Sequence, residues 1–133
     1  LSRHNIYLIF GPTASTASVM ATDIAHDDEA FAEDTPLTHL FGTPGKTKML
    51  AVFVDEREFD LSVTEIANGA GIARSTVYDH LDDFLALGVI RETRQTGSGS
   101  RYQLDEDSDI AARIYELDGL VLQRLLELEG TDE

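Results

Sequence analysis

The stretch Ser62-Val63-Thr64-Glu65-Ile66-Ala67-Asn68-Gly69-Ala70-Gly71-Ile72-Ala73-Arg74-Ser75-Thr76-Val77-Tyr78-Asp79-His80-Leu81 decides the fold. Ser62 and Glu65 make an S-x-x-E capping box that starts a first helix. Gly69 and Gly71 permit a sharp turn before a second helix. Ile66, Ala67, Ile72, Val77 and Leu81 fall where two crossed helices must touch, and the small Ala67 lets them approach. This pattern predicts a helix-turn-helix, whose second helix has the geometry to enter a DNA major groove.

The flanking residues extend the motif. The second helix continues through Phe84, Leu85 and Leu87 and stops at Gly88, a natural residue for the position just past a helix end. Residues 89–95 and 101–104, on either side of a Gly/Ser-rich tip at 96–100, read as a β-hairpin. A helix-turn-helix followed by a hairpin predicts a winged helix. Phe59-Asp60-Leu61 is placed to form the short strand that pairs with the wing. Residues 46–56 read as the domain's first helix, with Met49, Leu50, Val52 and Phe53 on its buried face.

On GIARSTVYDHLDDFLALGVIRE, the Gly-rich tip and RYQLDED, the chain resembles the winged-helix transcriptional regulators of archaea and bacteria, the ArsR/MarR/TrmB-like group, and in particular its haloarchaeal members. The resemblance covers residues 38–128. It implies a sequence-specific regulator that binds double-stranded DNA as a homodimer. One departure stands out: Ala73 occupies a helix N-cap where such proteins often carry Ser or Thr, and losing that cap costs about 1 kcal/mol.

Roles follow for individual residues of such a reader. Arg74, in the first turn of the recognition helix, is suited to bridge guanine O6 and N7, and Ser75 and Thr76 to touch a phosphate or base. Tyr78 lies one turn further on, where it can meet the backbone or a thymine methyl. His80 is either a rim contact or a packing residue. In the wing, Arg94 and Arg101 flank the tip, and Ser98 and Ser100 lie on it, all within reach of a phosphate or the minor groove. Arg91 is equally placed to pair with Glu92.

The net charge of −15 is unusual for a DNA binder, but its distribution is uneven. Residues 105–133 carry 2 basic and 10 acidic side chains, and residues 1–44 carry 1 and 6. Residues 61–104, which hold the helix-turn-helix and wing, carry 4 and 5 and are close to neutral. Acid in excess throughout, with Lys scarce beside Arg, is the composition of a halophile's cytosolic protein. In molar salt the Debye length falls to about 3 Å, so surface acid repels DNA far less. The competing reading is an acidic mesophilic protein that binds protein.

Residues 108–129 form a long amphipathic helix. Ile110, Ile114, Leu117, Val121, Leu125 and Leu128 step by three and four, and Leu120, Leu122 and Leu126 widen the stripe beyond what one small domain needs. Ile114, Leu117, Val121, Leu125 and Leu128 are therefore expected in a dimer seam, the alternative being that the helix packs back on its own domain. A twofold dimer sets two recognition helices about 34 Å apart, one DNA turn.

Other motifs carry less. Gly42-Thr43-Pro44-Gly45-Lys46-Thr47 looks like the end of a Walker A loop, but Leu40 stands where its first Gly is required. Lys46 and Lys48 are instead expected to solvate a helix start or touch a phosphate. Asp79, His80 and Asp83 contain metal-ligand types, yet read as ordinary helix surface. The absence of Cys excludes disulfides and thiolate metal sites. No cofactor and no enzymatic activity are expected, no segment is long and apolar enough to span a membrane, and the protein is expected to be cytoplasmic. Residues 11–38 lack firm periodicity and read as an arm or a loose helix over 14–32. The expected architecture is mainly α (α+β): an N-terminal arm over 1–38, a winged helix-turn-helix over 39–105, and a C-terminal dimerisation helix over 106–133. The alternatives are a winged-helix protein-interaction module in a transcription or chromatin assembly, and a ligand- or metal-sensing regulator.

Overall fold

The computed structural model describes residues 31–130. Most of the arm expected over 1–38, and almost all of the loose helix expected over 14–32, lies outside the described residues. Phe31–Asp34 is a 3-10 turn, followed by α1 (Pro36–Phe41). A unit boundary follows His39, and the domain described below begins at Leu40.

That domain contains α2 (Pro44–Asp55), β1 (Leu61–Ser62), α3 (Val63–Ala70), α4 (Arg74–Ala86), β2 (Ile90–Thr96), β3 (Gly99–Leu104) and α5 (Asp109–Gly130). The strands form an antiparallel sheet in the order β1-β3-β2. A helix, a short strand, two helices, a hairpin and a closing helix in this order make a winged helix.

Local chemistry fixes most boundaries. Thr43 caps α2 by accepting from the Lys46 N–H at 3.1 Å, and Pro44 occupies the first helical position, where its missing N–H costs nothing. The Walker-like string is thus a helix start. The capping box of α3 is complete: the Glu65 N–H donates to Ser62 Oγ at 3.1 Å, and the Ser62 N–H donates to Glu65 Oε1 at 2.9 Å. Gly88 ends α4 at φ +75°, with Val89 N–H donating to Phe84 O and Gly88 N–H to Leu85 O, the Schellman arrangement. Ser108 caps α5 through its Oγ, which accepts from the Ala111 N–H at 3.0 Å.

The core gathers Met49, Leu50, Phe53, Ile66, Val77, Phe84, Val89 and Ile90, with Leu61, Leu81 and Leu104 around them. Val54 joins it where Val52 was expected; Val52 is half-buried because it meets Gly69 instead. The two glycines of the expected turn have different jobs. Gly71 takes the left-handed conformation that closes α3 (φ +69°). Gly69 lies within the helix, and a Cβ there would come within 3.2 Å of both methyls of Val52. It is the close-approach residue between α2 and α3.

Only the first turns of α5 enter this core, through Ala111 and Ile114. Arg57, past the end of α2, lies over the Tyr115 ring at 4.4 Å and helps hold the helix there. Beyond it, Leu117, Leu120, Val121, Leu122, Leu125, Leu126 and Leu128 are all exposed. Ile114, expected in the dimer seam, is therefore packed within its own domain, because it falls on the turn that seats α5. The other four seam residues are solvent-facing in the single chain.

Candidate nucleic-acid interface

α4 divides into three faces. Val77, Leu81 and Phe84 are buried in the core. Thr76, His80 and Asp83 turn toward the start of α2. A Cβ on Gly45 would lie 3.3 Å from Thr76 Cγ2, His80 Nε2 sits 3.5 Å from Thr43 Oγ1, and Lys46 Nζ pairs with Asp83 Oδ2 at 3.0 Å. The third face, with Arg74, Ser75, Tyr78, Asp79 and Asp82, is open to solvent.

The structure thus brings Arg74, Ser75 and Tyr78 onto one accessible surface, with the Tyr78 side chain 54 % exposed although aromatic. Thr76 is partly taken up by the contact with α2, and His80 is mainly a packing residue. Lys46, expected to solvate a helix start or touch a phosphate, is 8 % exposed; its charge is met by Asp83 and its ammonium lies 6.0 Å from the centre of the Phe84 ring. This pairing clamps α2 to α4. Asp79 points outward, whereas His80 and Asp83 face α2, so the three do not converge. Among the described residues no group of three or more metal-ligating side chains comes together.

The start of α4 has no side-chain cap, since Ala73 has no oxygen to offer. Its carbonyl accepts from the Thr76 and Val77 N–H groups. The Arg74 and Ser75 N–H groups open the helix at the positive end of its dipole. That arrangement favours a phosphate.

The wing is tighter than its sequence indicates. The strands extend to Thr96 and from Gly99, leaving Gly97 and Ser98 as a two-residue tip, with Gly99 at φ +119°. Ser98 is exposed at the tip. The Ser100 hydroxyl donates to Glu92 Oε2 at 2.8 Å and so faces along the sheet. A register irregularity between Glu92 and Arg94 makes Thr93 an extra residue in β2.

Beneath the wing lies a charge cluster that the sequence reading missed. The Asp60 carboxylate accepts from Thr93 Oγ1 at 2.6 Å, from Arg94 Nε at 2.9 Å and from Arg101 Nε at 3.0 Å. A second Arg94 bond, from Nη2 to Asp60 Oδ1, is 3.3 Å long. Arg101 Nη2 also donates to the Asp60 carbonyl and to Glu65 Oε1. The Arg94, Thr93 and Arg101 donors hold the Asp60 carboxyl well below the usual carboxylate range. Glu65 is lowered too, first by the Ser62 backbone N–H it accepts from. Arg101, expected at the DNA surface, is 19 % exposed and committed to these carboxylates, whereas Arg94 is 61 % exposed. The available signal was two arginines on one hairpin with an acid just before the strand that joins it.

Residues 52–94 match the IclR helix-turn-helix domain family. Several solved structures share the fold, three of them as follows. The AntR antimony-specific transcriptional repressor aligns at 15 % identity with a TM-score of 0.54, over 81 % of this chain and 98 % of that one. A mutant of ZitR from Lactococcus lactis aligns at 14 % identity and TM-score 0.51, over 64 % of this chain. This chain spans 57 % of the ZitR chain's length. The homodimeric winged helix-turn-helix DNA-binding domain of Mb0332 from Mycobacterium bovis, a possible ArsR-family transcriptional regulator, aligns at 18 % identity and TM-score 0.50, over 68 % of this chain and 82 % of that one. No curated protein matches the sequence. Residues 52–94 thus match a helix-turn-helix domain, and the fold around them is a winged helix.

Proposed function

We propose that the protein is a sequence-specific transcriptional regulator that binds double-stranded DNA as a homodimer, reading bases with α4 and touching the backbone with the wing. The observation that carries this reading is the open face of α4: Arg74, Ser75 and Tyr78 side by side at an uncapped helix start. Arg74 serves the base edge, Ser75 and the first N–H groups a phosphate, and Tyr78 the groove wall. Arg94 and Ser98 are the wing residues best placed to approach the backbone. Arg101 contributes through the fold.

The dimer forms through the exposed stripe Leu117, Val121, Leu125 and Leu128 of α5, in keeping with the homodimeric Mycobacterium bovis domain. The acid surplus fits a cytoplasmic regulator of a salt-loving archaeon, where screening removes most repulsion between protein and DNA. Gel shifts against DNA upstream of its own coding sequence, in molar KCl, test the reading. Arg74→Ala is expected to cost specific binding about 1–3 kcal/mol, as for the loss of a bidentate base contact. Unchanged affinity on a site the parent recognises would exclude α4 as the reader.

A further inference from the structure

Arg94 and Arg101 stand directly opposite each other across the β2–β3 ladder. Like charges so placed repel, and the chain answers with a single carboxylate from outside the hairpin. Asp60 precedes β1, its side chain is 16 % exposed, and it binds both guanidinium groups at once. In a regular strand Thr93 and Arg94 would point to opposite faces. The extra residue in β2 turns both toward Asp60. The bulge and the carboxylate therefore form one device.

The two arginines leave that device differently. Arg101 directs Nε and Nη2 into Asp60 and Glu65 and is largely buried. Arg94 meets Asp60 side-on through Nε and Nη2. A guanidinium has five N–H donors in a planar fork, so the outer edge of Arg94 keeps donors directed away from Asp60, on a side chain 61 % exposed. We infer that Asp60 is a positioning residue for DNA binding: it fixes Arg94 so that its outer edge meets a backbone phosphate, and it commits Arg101 to holding the wing. An anchored arginine loses less rotamer freedom on contact than a free one.

This inference rests on the DNA-binding reading above, and a double-mutant cycle separates the two. Removing the Asp60 charge has a field effect, which favours DNA whether or not Arg94 is present. It also has a positioning effect, which exists only when Arg94 is present. Affinity for a fluorescent duplex from upstream of the protein's own coding sequence is measured against KCl for the parent, Asp60→Asn, Arg94→Ala and the double variant, with Arg74→Ala as control. Arg94→Ala is expected to reduce the dependence of log affinity on log salt by about 0.9, one phosphate contact. Asp60→Asn is expected to weaken binding roughly tenfold more when Arg94 is present than when it is absent. Equal effects of Asp60→Asn in both backgrounds, or an unchanged salt slope in Arg94→Ala, overturn the inference while leaving DNA binding intact if Arg74→Ala still weakens it. A parent that binds no duplex at any salt overturns both. Where Asp60→Asn fails to melt cooperatively, Thr93→Val takes its place; it removes one hydroxyl donor and keeps the charge, and a loss of roughly threefold that requires Arg94 is expected. A loss independent of Arg94 overturns the inference there too.

Discussion

At Ala73, stability and the proposed DNA binding are expected to pull in opposite directions. At the N-cap of α4 this residue accepts no N–H through its side chain, and the first turn is held by its backbone carbonyl alone. Ala73→Ser restores an acceptor at a position with extended backbone (φ −71°, ψ 151°), as N-caps require. It is expected to stabilise the fold by about 1 kcal/mol, seen as a higher urea midpoint at unchanged m value. The same hydroxyl then competes with a phosphate for the helix N–H groups, so DNA affinity is expected to fall even as stability rises. An Ala73→Ser protein that gains in both would show that the open helix start plays no part in binding.

The elements meet through two contacts of opposite character. α2 and α3 approach until Val52 fills the space a Cβ of Gly69 would need. Gly69→Val is expected to push the helices apart and cost about 1–3 kcal/mol in chemical denaturation, the usual toll of overpacking. An unchanged denaturation midpoint would show that α2 can shift freely. Across the paired strands β1, β2 and β3, charge adds to the backbone ladder, at Asp60. Because its folded-state pKa is depressed, Asp60 binds protons less readily folded than unfolded. Its contribution is fully present above the ordinary carboxylate value of about 4 and is lost as pH falls from there through the lower folded value. Melting temperature is therefore expected to fall below pH 4 more steeply in the parent than in Asp60→Asn, which has nothing to titrate at that position. Parallel curves for the two proteins would mean that the acid sensitivity arises elsewhere, for instance at Glu65.

For the whole molecule, the chief fact is that α5 outgrows its domain. After Ile114 no apolar residue of this helix is buried within the chain, and Val121 remains 48 % exposed. An apolar surface of this extent on a single chain marks an interaction face. Val121→Asp would place an unpaired charge in the proposed seam, at a cost of about 3–5 kcal/mol, and is expected to give monomers in light scattering at micromolar concentration. A parent that is itself monomeric under those conditions would dispose of the seam. Charge acts on the same scale. A net −15 opposes both compaction and pairing, so melting temperature and dimer fraction are expected to rise together as KCl goes from low to molar concentration. A melting temperature that falls steadily over that range would show that self-repulsion is not what limits this protein.

The winged helix itself was legible in the chain because its signals are local. The capping box at Ser62 and Glu65, the left-handed turns at Gly71 and Gly88, and the period of Ile66, Val77, Leu81 and Phe84 each act within a few residues, and each is found where the sequence places it. The residues of the recognition helix could be named, but which of them are accessible could not. Thr76 and His80 are withdrawn because α2 happens to lie against them, a contact made from 30 or more positions away in the chain. Asp60 escaped notice for the same reason: its meaning depends on a bulge in β2 and on two arginines 34 and 41 residues further on. Helix and turn chemistry is decided by neighbours in sequence, and the sequence by itself therefore determined the fold. Which charges are spent inside that fold and which remain at the surface is decided by neighbours in space, and only the tertiary structure brings those together.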